Sequence, residues 1–285
     1  MAGRFAPSPT GPLHLGSLLA ATASYLDARA AGETWRLRFD DLDVPRNDPG
    51  AIGSITATLR AHGLIWDGPI VHQSDNLTAY EEALNRLDRM GLLFYCTCSR
   101  RDLRAEAVYP GTCRAFREPR RDSATRVLVD QVAIEFADRI QGPQRCRLDQ
   151  TVGDFIVRRR DGLVAYQLAT AVDDGGEEVT SVVRGADLLD NTPRQIYLMQ
   201  RLGLKPPRYA HIPVLLKPDG SKLSKQTMAP PVDAHRAPEN LLTAYGLLGM
   251  RPPSDAQRWE VERILSWGIS HWDQEKVPRR RSVEP

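Results

Sequence analysis

Two short segments carry residue types suited to holding a nucleotide. Pro7-Ser8-Pro9-Thr10-Gly11-Pro12-Leu13-His14-Leu15-Gly16-Ser17 sets small residues, prolines and a histidine ahead of an Ala- and Leu-rich stretch. Free backbone N–H groups and the positive end of a helix would converge there on an anion. Far downstream, Lys222-Leu223-Ser224-Lys225-Gln226 follows the turn sequence Pro218-Asp219-Gly220. Two ammonium groups on a turn-tethered loop can close over phosphates. Each segment alone reads equally as something plainer, the first as a surface turn flanked by His14 and the second as a solvated lysine pair.

The elements that must position these segments alternate. Ser17 to Ala30 reads as a helix, with Ser17 available as its N-cap and Gly32 closing it. Thr34 to Asp41 alternates apolar and polar residues as a half-buried strand does. Ala51 to His62 and Leu77 to Met90 carry apolar residues at helical spacing, with Gly63 and Gly91 where C-terminal caps belong. The spacing of Arg158 to Ala169 predicts a hairpin turning at Asp161 and Gly162 into a buried strand. Ser181 to Leu189 runs from a strand into a helix that continues through Gln200, and Leu241 to Leu248 and Trp259 to Ile269 read as helices. Such alternation predicts an α/β fold with a parallel sheet, whose ligands gather at the carboxyl ends of its strands.

The stretch Tyr95 to Asp122 interrupts that pattern with clustered Cys, Arg and Pro. Three of the four cysteines, Cys96, Cys98 and Cys113, lie close together there and look like ligands rather than a disulfide framework, although incidental reduced thiols are the alternative. Cys146 stands apart as a free thiol with no assigned role.

With 285 residues the chain is long enough for one large or two modest domains with a real core. Its 41% hydrophobic and 26% charged residues are those of an ordinary globular protein, and neither a membrane-crossing run nor a secretory signal is visible. A cytoplasmic location and a monomer are the expectations. A formal net charge of +2 does not by itself call for a nucleic-acid partner. Basic residues do cluster locally, at Arg100, Arg101 and Arg104, at Arg158 to Arg160, and at Arg279 to Arg281, the last expected as a frayed tail.

In this order the two segments resemble the HIGH and KMSKS signatures of class I aminoacyl-tRNA synthetases. The opening Arg4-Phe5-Ala6-Pro7-Ser8-Pro9-Thr10-Gly11 is similar to the glutamyl branch, as are Asp40-Asp41-Leu42-Asp43, Tyr166-Gln167-Leu168-Ala169 and Arg184-Gly185-Ala186-Asp187. The chain stops soon after the lysine motif, short of an anticodon-binding region. That layout resembles the family that attaches glutamate to the queuosine base of tRNA(Asp).

The resemblance implies a Rossmann-like doubly wound catalytic domain in two halves, 1–94 and 123–232. It also implies a zinc-binding insertion at 95–122 and a short helical region at 233–285. It implies ATP with Mg²⁺, glutamate and queuosine-bearing tRNA(Asp) as substrates. His14, Gly16, Ser17 and Lys225 would hold ATP, with Lys222 assisting. Arg4, Ser8, Asp40, Tyr166 and Arg184 would hold glutamate, which needs a guanidinium for its side chain and an anion for its amine. Asp40 departs from the family pattern, in which Glu is usual. Cys96, Cys98, Tyr109 and Cys113 resemble the family's zinc site, three soft thiolates suiting structural Zn²⁺. A short enzyme charging the acceptor end of tRNA and an inactive tRNA-binding paralogue are the competing functions. An ATP-dependent nucleotidyltransferase of the same fold would not need the glutamate set.

Overall fold

Ala2–Phe5 form β1, and the Pro/Gly-rich segment after it delivers the chain into α1, Leu15–Ala30. β2 (Thr34–Phe39), α2 (Ala51–Ala61), β3 (Val71–His72) and α3 (Leu77–Arg89) follow. The computed structural model describes residues 1–104, 106–176, 178–216 and 230–284. Lys222 and Lys225 therefore lie outside the described residues. Gly63 and Gly91, at φ +65° and +69°, close α2 and α3 in the left-handed conformation that glycine adopts without strain.

Five short strands intervene before the parallel pattern resumes: β4 (Leu93–Cys96), β5 (Ala124–Val127), β6 (Ala133–Asp138), β7 (Gly142–Arg147) and, after the single turn α4 (Leu148–Thr151), β8 (Phe155–Arg158). Then come α5 (Tyr166–Asp174), β9 (Val179–Gly185), α6 (Thr192–Arg201), β10 (Arg208–Ile212) and β11 (Val214–Leu215). The chain finishes with α7 (Ala237–Leu247), α8 (Val261–His271) and β12 (Ser282–Val283). No helix among the described residues is long and apolar enough to cross a membrane.

The main sheet has seven strands in the order β3-β2-β1-β9-β10-β6-β7. All pairs are parallel except the β6–β7 hairpin. Between β1 and β9 the chain order reverses direction, which is the switch point where a doubly wound sheet opens a crevice beyond its strand ends. β4, β5 and β8 make a separate antiparallel sheet, so a break at residue 94 falls inside β4.

The two faces of the main sheet bury different helices. Val183, Ala210 and Ile212 pack with α1, α2, α7 and α8, whereas Val182 and Tyr209 pack with α3, α5 and α6. This alternation within β9 and β10 is the period-two pattern of strands buried on both sides. Gly3 lets α1 lie close on β1, since a Cβ there would stand 2.9 Å from that of Ala28.

Three expectations need correction. The segment after the turn at Asp161 and Gly162 makes only one bridge, Arg158 to Val164, and then enters α5 at Tyr166 rather than a strand. Its apolar residues Leu168, Ala169 and Ala171 serve a buried helix, which a short apolar run does not distinguish from a buried strand. The N-cap of α1 is His14, not Ser17, because the ring Nδ1 accepts from the backbone N–H groups of Gly16 and Ser17. The C-terminal basic run is not frayed. β12 pairs with β11, and Arg281 binds Asp190 through two hydrogen bonds of 2.8 and 2.9 Å.

Candidate active site

A cavity of about 360 Å³ opens where β1 and β9 end. Its walls include Arg4, Ser8, His14, Gly16, Ser17, Asp40, Tyr166 and Arg184, contributed by β1, the loop after it, α1, the end of β2, the start of α5 and β9. These are all the nucleotide and amino-acid candidates read from the sequence that lie among the described residues. Residues bordering the undescribed stretch meet the same cavity. Val214 and Leu215 line it, Pro231 bridges to His14, and Val232 N–H donates to Leu13 C=O at 2.8 Å.

The loop turns through Gly11, whose φ of 133° is a conformation open to glycine. With Nδ1 of His14 accepting at 3.1 and 3.3 Å, the ring proton sits on Nε2, 3.0 Å from Ser17 Oγ. His14 thus closes the first turn of α1 while presenting an N–H donor beside the helix's positive end.

Charge in the deeper part of the cavity is organised by residues the sequence reading passed over. Asp174, at the end of α5, is fully buried and accepts from Arg4 Nε at 3.2 Å, Arg4 Nη2 at 2.7 Å and Arg38 Nη1 at 2.7 Å. Burial opposes its charge, but Arg4 and Arg38 outweigh that and hold its pKa far below the usual carboxylate range. Arg4 keeps only Nη1 uncommitted among the described residues. Arg38 also donates from Nε to Asp40 at 2.7 Å. For Asp40 burial wins over Arg38 and pushes its carboxyl above the ordinary value, the mark of an anion short of positive partners.

Arg184, on β9, is 4% exposed. Its Nε donates to His211 Nε2 at 3.1 Å, and its Nη2 donates to Thr192 Oγ1 at 2.8 Å and Gln195 Oε1 at 2.7 Å. Its Nη1 is buried with no partner among the described residues. The cavity therefore has two guanidinium ends in surplus, Arg4 Nη1 and Arg184 Nη1, one under-neutralised carboxylate at Asp40, and the hydroxyl-bearing ring of Tyr166, 39% exposed, at its wall. A dicarboxylic amino acid has the matching set of charges.

The cysteine cluster lies elsewhere. The Sγ atoms of Cys96, Cys98 and Cys113 are within 4.8 Å of one another, and Tyr109 Oη is 3.4 Å from Cys96 Sγ. Burial would raise the Cys96 thiol, but donation from Tyr109, the Cys98 backbone N–H and Arg126 overrides it and brings the pKa down to about 7. Burial and its sulfur neighbours push Cys98 up to about 12. Sulfurs around tetrahedral zinc stand roughly 3.8 Å apart. Cys98 and Cys113 Sγ are already 3.5 Å apart, so a small adjustment of the triangle fits the ion, and its charge would ionise all three thiols. Arg160 ties the loop down through the carbonyls of Thr97 and Cys98, while Arg158 and Arg159 are paired with Glu81 and with Asp161 and Asp43. Arg100, Arg101 and Arg104 are exposed. Cys146 is half-buried, its Sγ 3.2 Å from Thr151 Oγ1.

Residues 1–266 match the family described as tRNA synthetases class I (E and Q), catalytic domain. The chain is 51% identical over 282 residues to the glutamyl-Q tRNA(Asp) synthetase of Pseudomonas fluorescens, covering 99% of this chain and 95% of that protein. It is 49% identical over 278 residues to the protein of the same name from Pseudomonas aeruginosa, covering 97% and 95%. The solved structure of a glutamate tRNA ligase from Elizabethkingia meningosepticum superposes with a TM-score of 0.80 at 23% identity, over all of this chain and 66% of that one. That last likeness shows the α/β fold with its mostly parallel sheet. The extent and identity of the sequence matches place this chain in the glutamyl-Q tRNA(Asp) synthetase family, among the class I tRNA synthetases for E and Q.

Proposed function

We propose that this chain activates glutamate with ATP and transfers it to the queuosine base in the anticodon of tRNA(Asp). The observation that carries the reading is the charge pattern of the cavity beyond β1 and β9: two surplus guanidinium ends and an under-neutralised Asp40, facing the N-terminus of α1. Identity near 50% to glutamyl-Q tRNA(Asp) synthetases supports the choice of acceptor.

In the first step a glutamate α-carboxylate oxygen bonds to the α-phosphorus of ATP while the bond to the bridging oxygen breaks and pyrophosphate leaves. In the second, a nucleophile of queuosine attacks the acyl carbon and AMP leaves. Arg4 and Arg184 orient the amino acid through its side-chain carboxylate. Asp40 holds its ammonium, and Ser8 and Tyr166 add neutral hydrogen bonds. His14 Nε2–H turns from Ser17 to phosphate oxygens, and the backbone at Gly16 approaches the nucleotide closely, having no Cβ. Lys222 and Lys225, between anchored ends at Leu215 and Pro231, neutralise charge developing on the phosphates. Mg²⁺ accompanying ATP would supply further neutralisation of that charge.

In this reading the catalytic halves 1–94 and 123–232 flank a small insertion at 95–122, in which Cys96, Cys98, Cys113 and Tyr109 hold a structural Zn²⁺. The helical region 233–285 supports α1, and the enzyme works in the cytoplasm as a monomer.

Transfer of labelled glutamate, with ATP, onto tRNA(Asp) prepared with and without queuosine, and onto tRNA(Glu), tests the proposal. Label confined to queuosine-bearing tRNA(Asp) is expected. Label on tRNA(Glu) alone would make this an acceptor-end enzyme, and no label with no glutamate-dependent ATP–pyrophosphate exchange would end the enzyme reading.

A further inference from the structure

We propose that His211 and Asp138 are positioning residues for glutamate: a neutral imidazole held in a single tautomer aims Arg184 so that its one unpartnered nitrogen meets the substrate carboxylate. This rests on the reading of Arg184 as a glutamate ligand. Three adjacent strands carry the chain of contacts. His211 on β10 is the register partner of Arg184 on β9, and Asp138 ends β6, on the other side of β10. All three are buried, with His211 wholly so.

The hydrogen-bond inventory leaves one assignment for the ring. Two groups meet His211 Nε2, each at 3.1 Å: Arg184 Nε, which is a donor only, and the Thr192 hydroxyl, which can donate or accept, so Arg184 decides that Nε2 presents its lone pair. The ring proton is then on Nδ1 and donates to Asp138 Oδ2 at 2.5 Å. Asp138 is fixed in turn, its Oδ1 accepting from the backbone N–H groups of Ile140 at 3.0 Å, Gln141 at 2.8 Å and His211 at 3.2 Å. A protonated ring would set an N–H against the N–H of Arg184, and the other tautomer would do the same.

The remaining nitrogens of Arg184 complete the argument. Thr192 and Gln195 occupy Nη2, and the guanidinium carbon lies 5.4 Å from the centre of the Tyr209 ring. With Nε held by His211, rotation about the final side-chain bonds is blocked and Nη1 alone is left for a ligand. A fixed donor loses less freedom on binding than one that must be ordered, so the gain appears in glutamate affinity rather than in nucleotide affinity.

The test compares His211→Asn with His211→Gln in glutamate-dependent ATP–pyrophosphate exchange. Asparagine can serve Asp138 but does not reach Arg184, whereas glutamine places an acceptor near the position of Nε2. His211→Asn is expected to raise the KM for glutamate at least about tenfold, the scale of a lost hydrogen bond to a charged group, with the KM for ATP unchanged. His211→Gln should recover most of that loss. An unchanged glutamate KM in His211→Asn, a parallel rise for ATP, or equal damage in both variants would overturn the proposal. Imidazole nitrogen NMR of the unaltered protein reads the tautomer independently of folding defects in the variants and of turnover, and a ring protonated on Nε2 at neutral pH would also overturn it. A wild-type protein inactive with glutamate but carrying the Nδ1–H ring would show that the substrate reading, not the His211 geometry, is at fault.

Discussion

Asp174 grips Arg4 by two of its nitrogens, Nε at 3.2 Å and Nη2 at 2.7 Å, and is itself wholly buried. The pair joins the first strand of the sheet to the last residue of α5, 170 positions later. Because Arg38 binds the same carboxylate, one anion orients two cationic side chains below the cavity.

Replacing Asp174 with Asn leaves two buried guanidinium groups without their shared anion. Breaking a buried pair in this way costs about 3 to 5 kcal/mol, so Asp174→Asn should lower the urea midpoint of unfolding by a corresponding amount. The sign with pH follows from the depressed pKa of Asp174 in the folded state. Its contribution is complete above the unfolded carboxylate value of ~3.9 and is lost as the pH falls toward the folded value. The variant should therefore show a flatter loss of stability in acid. Equal stability of the two proteins at neutral pH would refute the role given to the pair.

His62 and His211 set a second pH window. His62 Nδ1–H donates to Thr58 C=O at 2.7 Å and its Nε2 accepts from Asn240 at 3.1 Å, so this buried ring is also neutral and joins α2 to α7. Burial lowers the pKa of both histidines. The unfolded chain then takes up protons first, and stability that is complete above the ordinary value of ~6.5 declines as pH falls below it. Denaturant unfolding at pH values from about 7 to 5 should show this decline, with a smaller one in His62→Gln. A midpoint independent of pH across that range would contradict it.

Much of the architecture was legible in the sequence because its signals are local. α1, α2 and α3 follow from apolar spacing and closing glycines, and the site motifs from residue types beside a helix start. The charged layer under the site was not legible, for a physical reason. Arg36 and Arg38 occupy the polar positions of β2, which alternation assigns to solvent, yet α5 covers that face and buries Arg38 against Asp174. Only the fold reveals that two acidic residues at a helix end and an arginine in a strand share one space. Likewise, nothing in the run from Arg208 to Ile212 distinguishes His211 from a packed ring until Asp138 and Arg184 flank it.

The cysteine triangle makes a prediction that needs no enzymatic assay. Purified protein should carry about one zinc per chain by metal analysis, and Cys98→Ser should lose it and melt at a lower temperature. Tyr109→Phe removes the hydroxyl beside Cys96 and the acceptor for the Cys113 N–H, which is 3.0 Å from it. Retention of zinc in Tyr109→Phe with looser binding would mark the phenol as a weak fourth ligand. Protein free of zinc when prepared without chelator would reduce the cluster to three packed thiols.

Asp40 offers the sharpest probe of the amino-acid pocket. Among the described residues its carboxylate is hydrogen-bonded to one cation, Arg38, and burial outweighs that contact and the more distant charge of Arg4. A bound ammonium would supply the missing charge, so Asp40→Asn should raise the KM for glutamate by roughly tenfold or more, as expected for a hydrogen bond to a charged group, while leaving the KM for ATP in place. Asp40→Glu should act differently. The longer arm carries the carboxylate beyond Arg38 toward the cavity, shortening the reach to the ammonium at the expense of the Arg38 contact. The expected result is a lower glutamate KM together with lower thermal stability. If both substitutions change stability but neither changes the KM for glutamate, Asp40 serves only to hold Arg38, and the ammonium must find its anion elsewhere in the cavity.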